Sequence, residues 1–214
     1  MIKIAYCNVE KLDLNKAYPL VSADRQKKIS SYRFDKDKKL SCGVYLLLKK
    51  LLDEINITNP LFKTEKYGKA YISNHSDIHF NVSHSGKYVA CAIADTPVGV
   101  DIEYNDPEID LNIAKLYFFN SEYRRIIESD NSSNEFFNYW VLKESYMKYT
   151  GLGFHLKLDT FEIIIDNNDI GLKNDKNNIK FNLFDVDNYK IAFACNQSTN
   201  KIFGYDVEEL YWNI

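Results

Sequence analysis

The sequence predicts an α+β fold built as a pseudo-twofold pair of similar α/β subdomains, residues 1–97 and 98–214, with a ligand cleft between them. Three observations predict it. Phe80-Asn81-Val82 stands eight positions before Tyr88 and the apolar run Val89-Ala90-Cys91-Ala92, and Phe181-Asn182-Leu183 stands eight before Tyr189 and the run Lys190–Cys195. A long helical pattern lies upstream of each, Lys38–Ile55 and Asn134–Tyr149. Thr96-Pro97 punctuates the chain between the two copies. Repetition of one supersecondary pattern implies two similar units, and pockets commonly form where such units meet.

Each element follows from its periodicity. Ile2–Val9 alternates as an opening strand. Ser22–Tyr32 and Lys38–Ile55 are helical, the second with Val44, Leu47, Leu48, Leu51 and Leu52 on one stripe. Strands Ile78–Val82 and Tyr88–Ala94 flank the turn Ser83-His84-Ser85-Gly86-Lys87. Helices are expected at Leu111–Tyr117, Ser121–Glu128 and Asn134–Tyr149, the last stopped by Gly151. Strands return at Thr160–Asp166, Lys180–Asp185 and Tyr189–Cys195, with Asn167–Asn178 expected as a polar exposed excursion.

Composition bounds the function. At 214 residues and 45% hydrophobic content the chain can bury a substantial core. A net charge of −3 disfavours nucleic-acid binding driven by bulk charge. Cys7, Cys42, Cys91 and Cys195 show no metal spacing, and Cys91 and Cys195, inside apolar strand-like runs, read as buried thiols of a reducing compartment. The N-terminus lacks the pattern of a signal peptide, and no apolar run approaches the ~20 residues that span a membrane. The expectation is a soluble, cytoplasmic protein.

Two acidic blocks carry the chemistry. In Val98-Gly99-Val100-Asp101-Ile102-Glu103, strand alternation puts Val98, Val100 and Ile102 on one face and Gly99, Asp101 and Glu103 on the other. Two carboxylates on one side of a strand repel unless a cation sits between them. In the helical block Trp140–Lys148, Glu144 and Lys148 lie one turn apart. Brought together, the blocks would set three carboxylates and a lysine around one point, suited to Mg²⁺ and phosphate. Each block also has a plainer reading: a solvent-facing acidic strand, and an exposed ion pair of about 0.3–0.5 kcal/mol. Ser83-His84-Ser85-Gly86 can hold a phosphate oxygen through hydroxyls, backbone N–H groups and imidazole, or be a polar hairpin loop. Tyr67-Gly68-Lys69 offers a turn followed by a cation, and Arg25-Gln26-Lys27-Lys28 a basic helix face that can bind phosphate or simply be solvated.

The order of these blocks resembles one family. Basic helix, Tyr67-Gly68-Lys69, Phe80–Gly86, Gly99–Glu103 and Trp140–Gly153 follow one another as in the 4'-phosphopantetheinyl transferases of the Sfp (surfactin-synthetase-activating) type, over nearly the whole chain. Ala70 stands where the family often has proline. The resemblance implies that family's fold, with the active site in the cleft, and a holo-[carrier protein] synthase. Such an enzyme moves 4'-phosphopantetheine from coenzyme A to a serine of an apo acyl or peptidyl carrier protein. It further implies a Mg²⁺ site at Asp101, Glu103 and Glu144, with Glu144 or Glu122 as general base and Lys148 at the pyrophosphate. Ser83, His84, Lys69, Arg25 and Lys28 would contact coenzyme A. Leu116, Tyr117, Phe118, Phe119, Arg124 and Arg125 are candidates for the carrier surface, against the alternative of core aromatics and solvated arginines. The duplicated layout suggests a monomer. Two rivals have less support: a Mg²⁺-dependent nuclease, whose lysine usually lies two residues after its acid rather than four, and a non-catalytic carrier- or CoA-binding module, which would not require the acidic triad and Lys148.

Overall fold

Strand β1 (Ile2–Asn8) leads into helices α1 (Leu14–Ala17), α2 (Ala23–Ser30) and α3 (Asp35–Asp53), a short hairpin β2 (Phe62–Thr64)–β3 (Ala70–Ile72), and a long hairpin β4 (His79–Ser85)–β5 (Tyr88–Ala94). The pattern then repeats. Strand β6 (Val98–Tyr104) leads into α4 (Asn112–Tyr117), α5 (Asn120–Glu128) and α6 (Ser132–Thr150), a short hairpin β7 (Ile163–Asp166)–β8 (Asp169–Leu172), and a long hairpin β9 (Lys180–Val186)–β10 (Tyr189–Cys195). Strand β11 (Phe203–Tyr205) closes the chain. The computed structural model describes residues 1–166 and 169–211. None of its helices is long and apolar enough to cross a membrane.

The first sheet has the order β11-β1-β5-β4 and the second β6-β10-β9. Strands β5 and β10 are buried along their whole length, so both of their faces must be covered. Period-two alternation shows by what. Val89, Cys91 and Ile93 face the core of the first half, whereas Tyr88, Ala90, Ala92 and Ala94 enter a seam between the sheets. Ala192 and Ala194 join the core of the second half, and Tyr189, Ile191, Phe193 and Cys195 enter the same seam. Val98, Val100 and Ile102 of β6 complete it, leaving the other face of β6 to α6. Gly99 makes that approach possible: a Cβ there would lie 2.0 Å from the Ser145 carbonyl and 2.3 Å from the Tyr149 nitrogen.

The two long hairpins lock reciprocally. Both have two-residue turns whose first residue takes positive φ, Gly86 at 57° and Asp187 at 49°. The Tyr88 hydroxyl donates to Asp187 at 2.7 Å, and the Lys87 N–H donates to the Tyr189 hydroxyl at 3.2 Å. The two rings stand 4.8 Å apart. Equivalent tyrosines thus each reach the other half's turn.

Three departures from the sequence expectations bear on how the halves are organised. Residues 167–168 of the expected excursion lie outside the described residues, but 169–172 form β8, paired antiparallel with β7. The division at 97/98 does not hold at the C-terminus. Strand β11 pairs in parallel with β1, and Leu210 packs into the first half's core; this covers an otherwise open edge of β1. Third, α6 begins two residues early because the Asn131 side chain accepts from the Asn134 N–H and caps it.

Candidate active site

Polar side chains of β4 stitch it to β6, although the strands belong to different sheets. Asn81, Ser83 and Ser85 share one face by period two. The Asn81 carbonyl accepts from Val100 N–H at 2.9 Å, the Ser83 hydroxyl donates to Asp101 at 2.8 Å, and the Ser85 oxygen accepts from Tyr104 N–H at 3.2 Å. The sequence reading does not single out Asn81; the alternating polar residues of Phe80-Asn81-Val82-Ser83-His84-Ser85 are the available signal.

Helix α6 lays Lys148 on this frame from the face of β6 that is turned away from the seam. Its ammonium donates to Asp101 Oδ1 at 2.6 Å and to Ser83 Oγ at 2.8 Å. Asp101 is 1% exposed, and its Oδ2 is buried without a hydrogen-bond partner among the described residues. A buried unpartnered carboxylate oxygen is costly, which marks this atom as awaiting a donor or a cation. Glu103 and Glu144 line the same cavity of about 440 Å³, together with Arg25, Lys28, Ser83, His84 and Lys148.

The electrostatics follow from three carboxylates and one ammonium. Burial, then the Asp101 charge, push Glu144 up to about 7. Burial and Asp101 raise Glu103 too, while hydrogen bonds from Ser85 and Trp140 and the charge of Lys148 work against the rise. His84, at the cleft mouth, is held below its ordinary value by partial desolvation and then by Lys148, which favours neutral imidazole. Among the described residues no three acidic, His or Cys side chains gather tightly enough to enclose a metal ion. Asp101 turns one oxygen to Lys148 and Ser83. The donor set nonetheless fits Mg²⁺: all-oxygen, anionic, and with Asp101 Oδ2 free to bind.

Two expected site residues lie elsewhere. Lys69 does not line this cavity. Its ammonium is held by the carbonyls of Val98 at 3.1 Å and Tyr149 at 2.8 Å, and burial lowers it to about 8. It borders an adjoining groove that shares Ala70, Val82 and Lys148 with the main cavity. Glu122 is 1% exposed inside the second half, with Lys143, Phe119 N–H and Ile163 N–H on its oxygens. A carboxylate so engaged and so far inside is not placed to take a proton in the cleft.

The candidate carrier-surface residues divide. Leu116 at 69% and Tyr117 at 56% are exposed, as is Arg124. Phe118 is core, stacked on Phe136 and Trp140. Arg125 is tied to Glu135 at 2.9 Å and to the Ile165 carbonyl.

Comparison with known proteins gives matches along both halves. A model of the 4'-phosphopantetheinyl transferase superfamily matches residues 97–194, and one described as 4'-phosphopantetheinyl transferase, N-terminal, matches residues 8–96. The 4'-phosphopantetheinyl transferase gsp of Aneurinibacillus migulanus is 39% identical over 67% of this chain and 61% of its own. The 4'-phosphopantetheinyl transferase Sfp of Bacillus subtilis is 42% identical over 48% of this chain and 46% of its own. The enzyme named ffp, also of Bacillus subtilis, is 33% identical over 67% and 66%. The aligned part of the chain therefore spans between about half and two thirds of these relatives' length.

Proposed function

Because the chain belongs to the 4'-phosphopantetheinyl transferase superfamily, we propose that it transfers 4'-phosphopantetheine from coenzyme A to a serine hydroxyl of an apo acyl or peptidyl carrier protein, releasing adenosine 3',5'-bisphosphate. The observation that carries this reading is the Lys148–Asp101–Ser83 cluster with its unpartnered carboxylate oxygen, facing Arg25, Lys28 and His84 across one cleft. An anion with two charged ends, a pyrophosphate and a 3'-phosphate, suits such a wall.

In the proposed reaction the carrier serine oxygen attacks the phosphorus that bears pantetheine. The bond from that phosphorus to the bridging oxygen breaks, and the electron pair leaves on the adenosine 5'-phosphate. Glu144 accepts the serine proton, directly or through water. Lys148 offsets the charge that grows on the departing phosphate. Arg25 and Lys28 pair with the 3'-phosphate, and neutral His84 donates a hydrogen bond to a phosphate oxygen. Asp101, Glu103 and Glu144 would hold Mg²⁺, which when bound neutralises the pyrophosphate and screens the approach of the serine oxygen. The adjoining groove at Tyr67-Gly68-Lys69 is offered to the adenosine, with Lys69 as part of its frame. Leu116, Tyr117 and Arg124 form an exposed apolar and basic surface for the acidic helices of a carrier. One chain supplies both walls of the cleft, so the proposed working form is a cytoplasmic monomer.

The test is incubation of the protein with coenzyme A, Mg²⁺ and a panel of apo carrier domains, with intact mass read for each carrier. A gain of one phosphopantetheine, lost with EDTA, is expected. Coenzyme A that binds but is never consumed on any carrier would leave a binding module instead.

A further inference from the structure

Lys143 immediately precedes Glu144 on α6 and is 0% exposed. Its ammonium meets three acceptors, one for each N–H: Glu122 Oε2 at 2.9 Å, the Leu158 carbonyl at 2.9 Å and the Phe161 carbonyl at 2.8 Å. The Phe161 and Phe118 rings lie 4.4 and 5.2 Å away. Glu122 is equally engaged, accepting from Phe119 N–H at 2.9 Å and Ile163 N–H at 2.7 Å. The node therefore joins α6, the start of α5 and the segment entering β7.

Stability alone does not explain it. A buried ion pair can usually be replaced by apolar side chains of similar volume without loss of stability. Directional bonds do something that greasy contacts do not: they fix the rotation and depth of a helix. On its β6 side α6 is already seated at Gly99, where its backbone touches the strand. A helix held at a glycine can still roll. Residues 143 and 144 project about 100° apart on a helix, so fixing Lys143 in the interior fixes Glu144, and Lys148 one turn later, toward the cleft.

We propose that Lys143 and Glu122 are positioning residues, setting the roll of α6 so that Glu144 and Lys148 face Asp101. The inference rests on the proposed transfer reaction for its functional meaning, and neither residue touches the reacting atoms. It makes the carboxylate expected from sequence as an alternative base into a part of the frame that aims the other.

The test is the double variant Lys143→Met/Glu122→Gln, which removes both charges and keeps the volume. It is expected to remain folded, with KM for coenzyme A within about twofold of the parent and kcat about 10²-fold lower, as for a sub-ångström to ångström misplacement of reacting groups. Lys143→Arg with Glu122 intact restores a cation with several donors and should recover at least about tenfold of that loss. A folded double variant with parental kcat overturns the proposal. Should it not fold, Glu122→Gln alone is read in the same way, with lowered kcat at unchanged KM expected and parental kcat overturning. A second readout is independent of turnover: in a crystal structure of the variant the Lys148–Asp101 contact should be lost, and its survival at the parental distance overturns the proposal. If the parent itself transfers nothing, the reaction assignment fails in the carrier assay while this contact still decides the positioning role.

Discussion

The two halves use one scaffold for different ends. Each hangs a 19-residue helix, α3 or α6, over a central strand buried on both faces. Among the described residues the first half buries only Ser41 and Ser83 as polar side chains, whereas the second buries Asp101, Glu122, Lys143, Ser145, Glu162 and Lys190. Helix α3 presents leucines to its sheet, and its charged residues are exposed or half-buried. Helix α6 carries a lysine inward and a glutamate and a second lysine toward the cleft. The difference teaches how a duplicated fold acquires a site: one half holds its shape by apolar burial and lends a cationic surface, while the other buries charges to aim charges.

The largest effect that could break this comparison is catalytic. Asp101→Ala should lower carrier modification by about 10³-fold or more, as expected when a charged anchor of the reacting phosphates is lost. Arg25→Ala in the first half should mainly raise KM for coenzyme A and narrow its preference over dephospho-coenzyme A. Steady-state kinetics on one carrier distinguish the two, and normal turnover by Asp101→Ala would end the division of labour. Next in size is stability. Lys143→Met alone strands a buried carboxylate and should cost about 3–5 kcal/mol in urea unfolding, most of it recovered by adding Glu122→Gln. Leu47→Ala, equally buried on α3, should cost about 2–5 kcal/mol with no partner able to restore it.

A smaller effect is pH-dependent. Glu144 rises from 4.5 to about 7 on folding, and Glu103 is raised in the same direction. Between those values the folded chain keeps a proton that the unfolded chain has released. The contribution of Glu144 to metal-free stability should therefore decline as pH rises from about 4.5 through about 7, the slope being negative because the folded state binds more protons at this group. Thermal unfolding in EDTA measures this; Glu144→Gln should flatten the decline, and an equally steep decline in that variant would reject the assignment. The smallest effect tests the symmetry itself. Tyr88→Phe and Tyr189→Phe should each cost about 0.5–1.5 kcal/mol, and strongly unequal costs would show that the reciprocal contacts are not equivalent.

Particular residues show where sequence reasoning reached and where it stopped. The repeat of Phe80–Tyr88 in Phe181–Tyr189 located both long hairpins, because turn spacing and strand alternation are local. Alternation along Val98–Glu103 likewise placed Asp101 and Glu103 on the α6 side of β6. Nothing in the sequence marks Lys143 beside Glu144, since helical spacing does not tell an inward lysine from an outward one. Glu122 enters as an alternative base through the family resemblance alone, and a glutamate near a helix start carries no mark of burial. Strand β11 carries no sequence signal, as three residues have no pattern until an open edge receives them.

The sequence by itself determined the two-fold architecture, the strand and helix that bear the acidic blocks, and the pairing of Glu144 with Lys148 on one face. These depend on periods of 2 and 3.6 residues, which any window of the chain displays. Only the tertiary structure decided which charges are buried, which cation meets Asp101, and that Lys69 and Glu122 serve the frame rather than line the main cleft. Burial and ion pairing are properties of residues distant in the chain, and their energies depend on the dielectric and the partners that folding alone brings together.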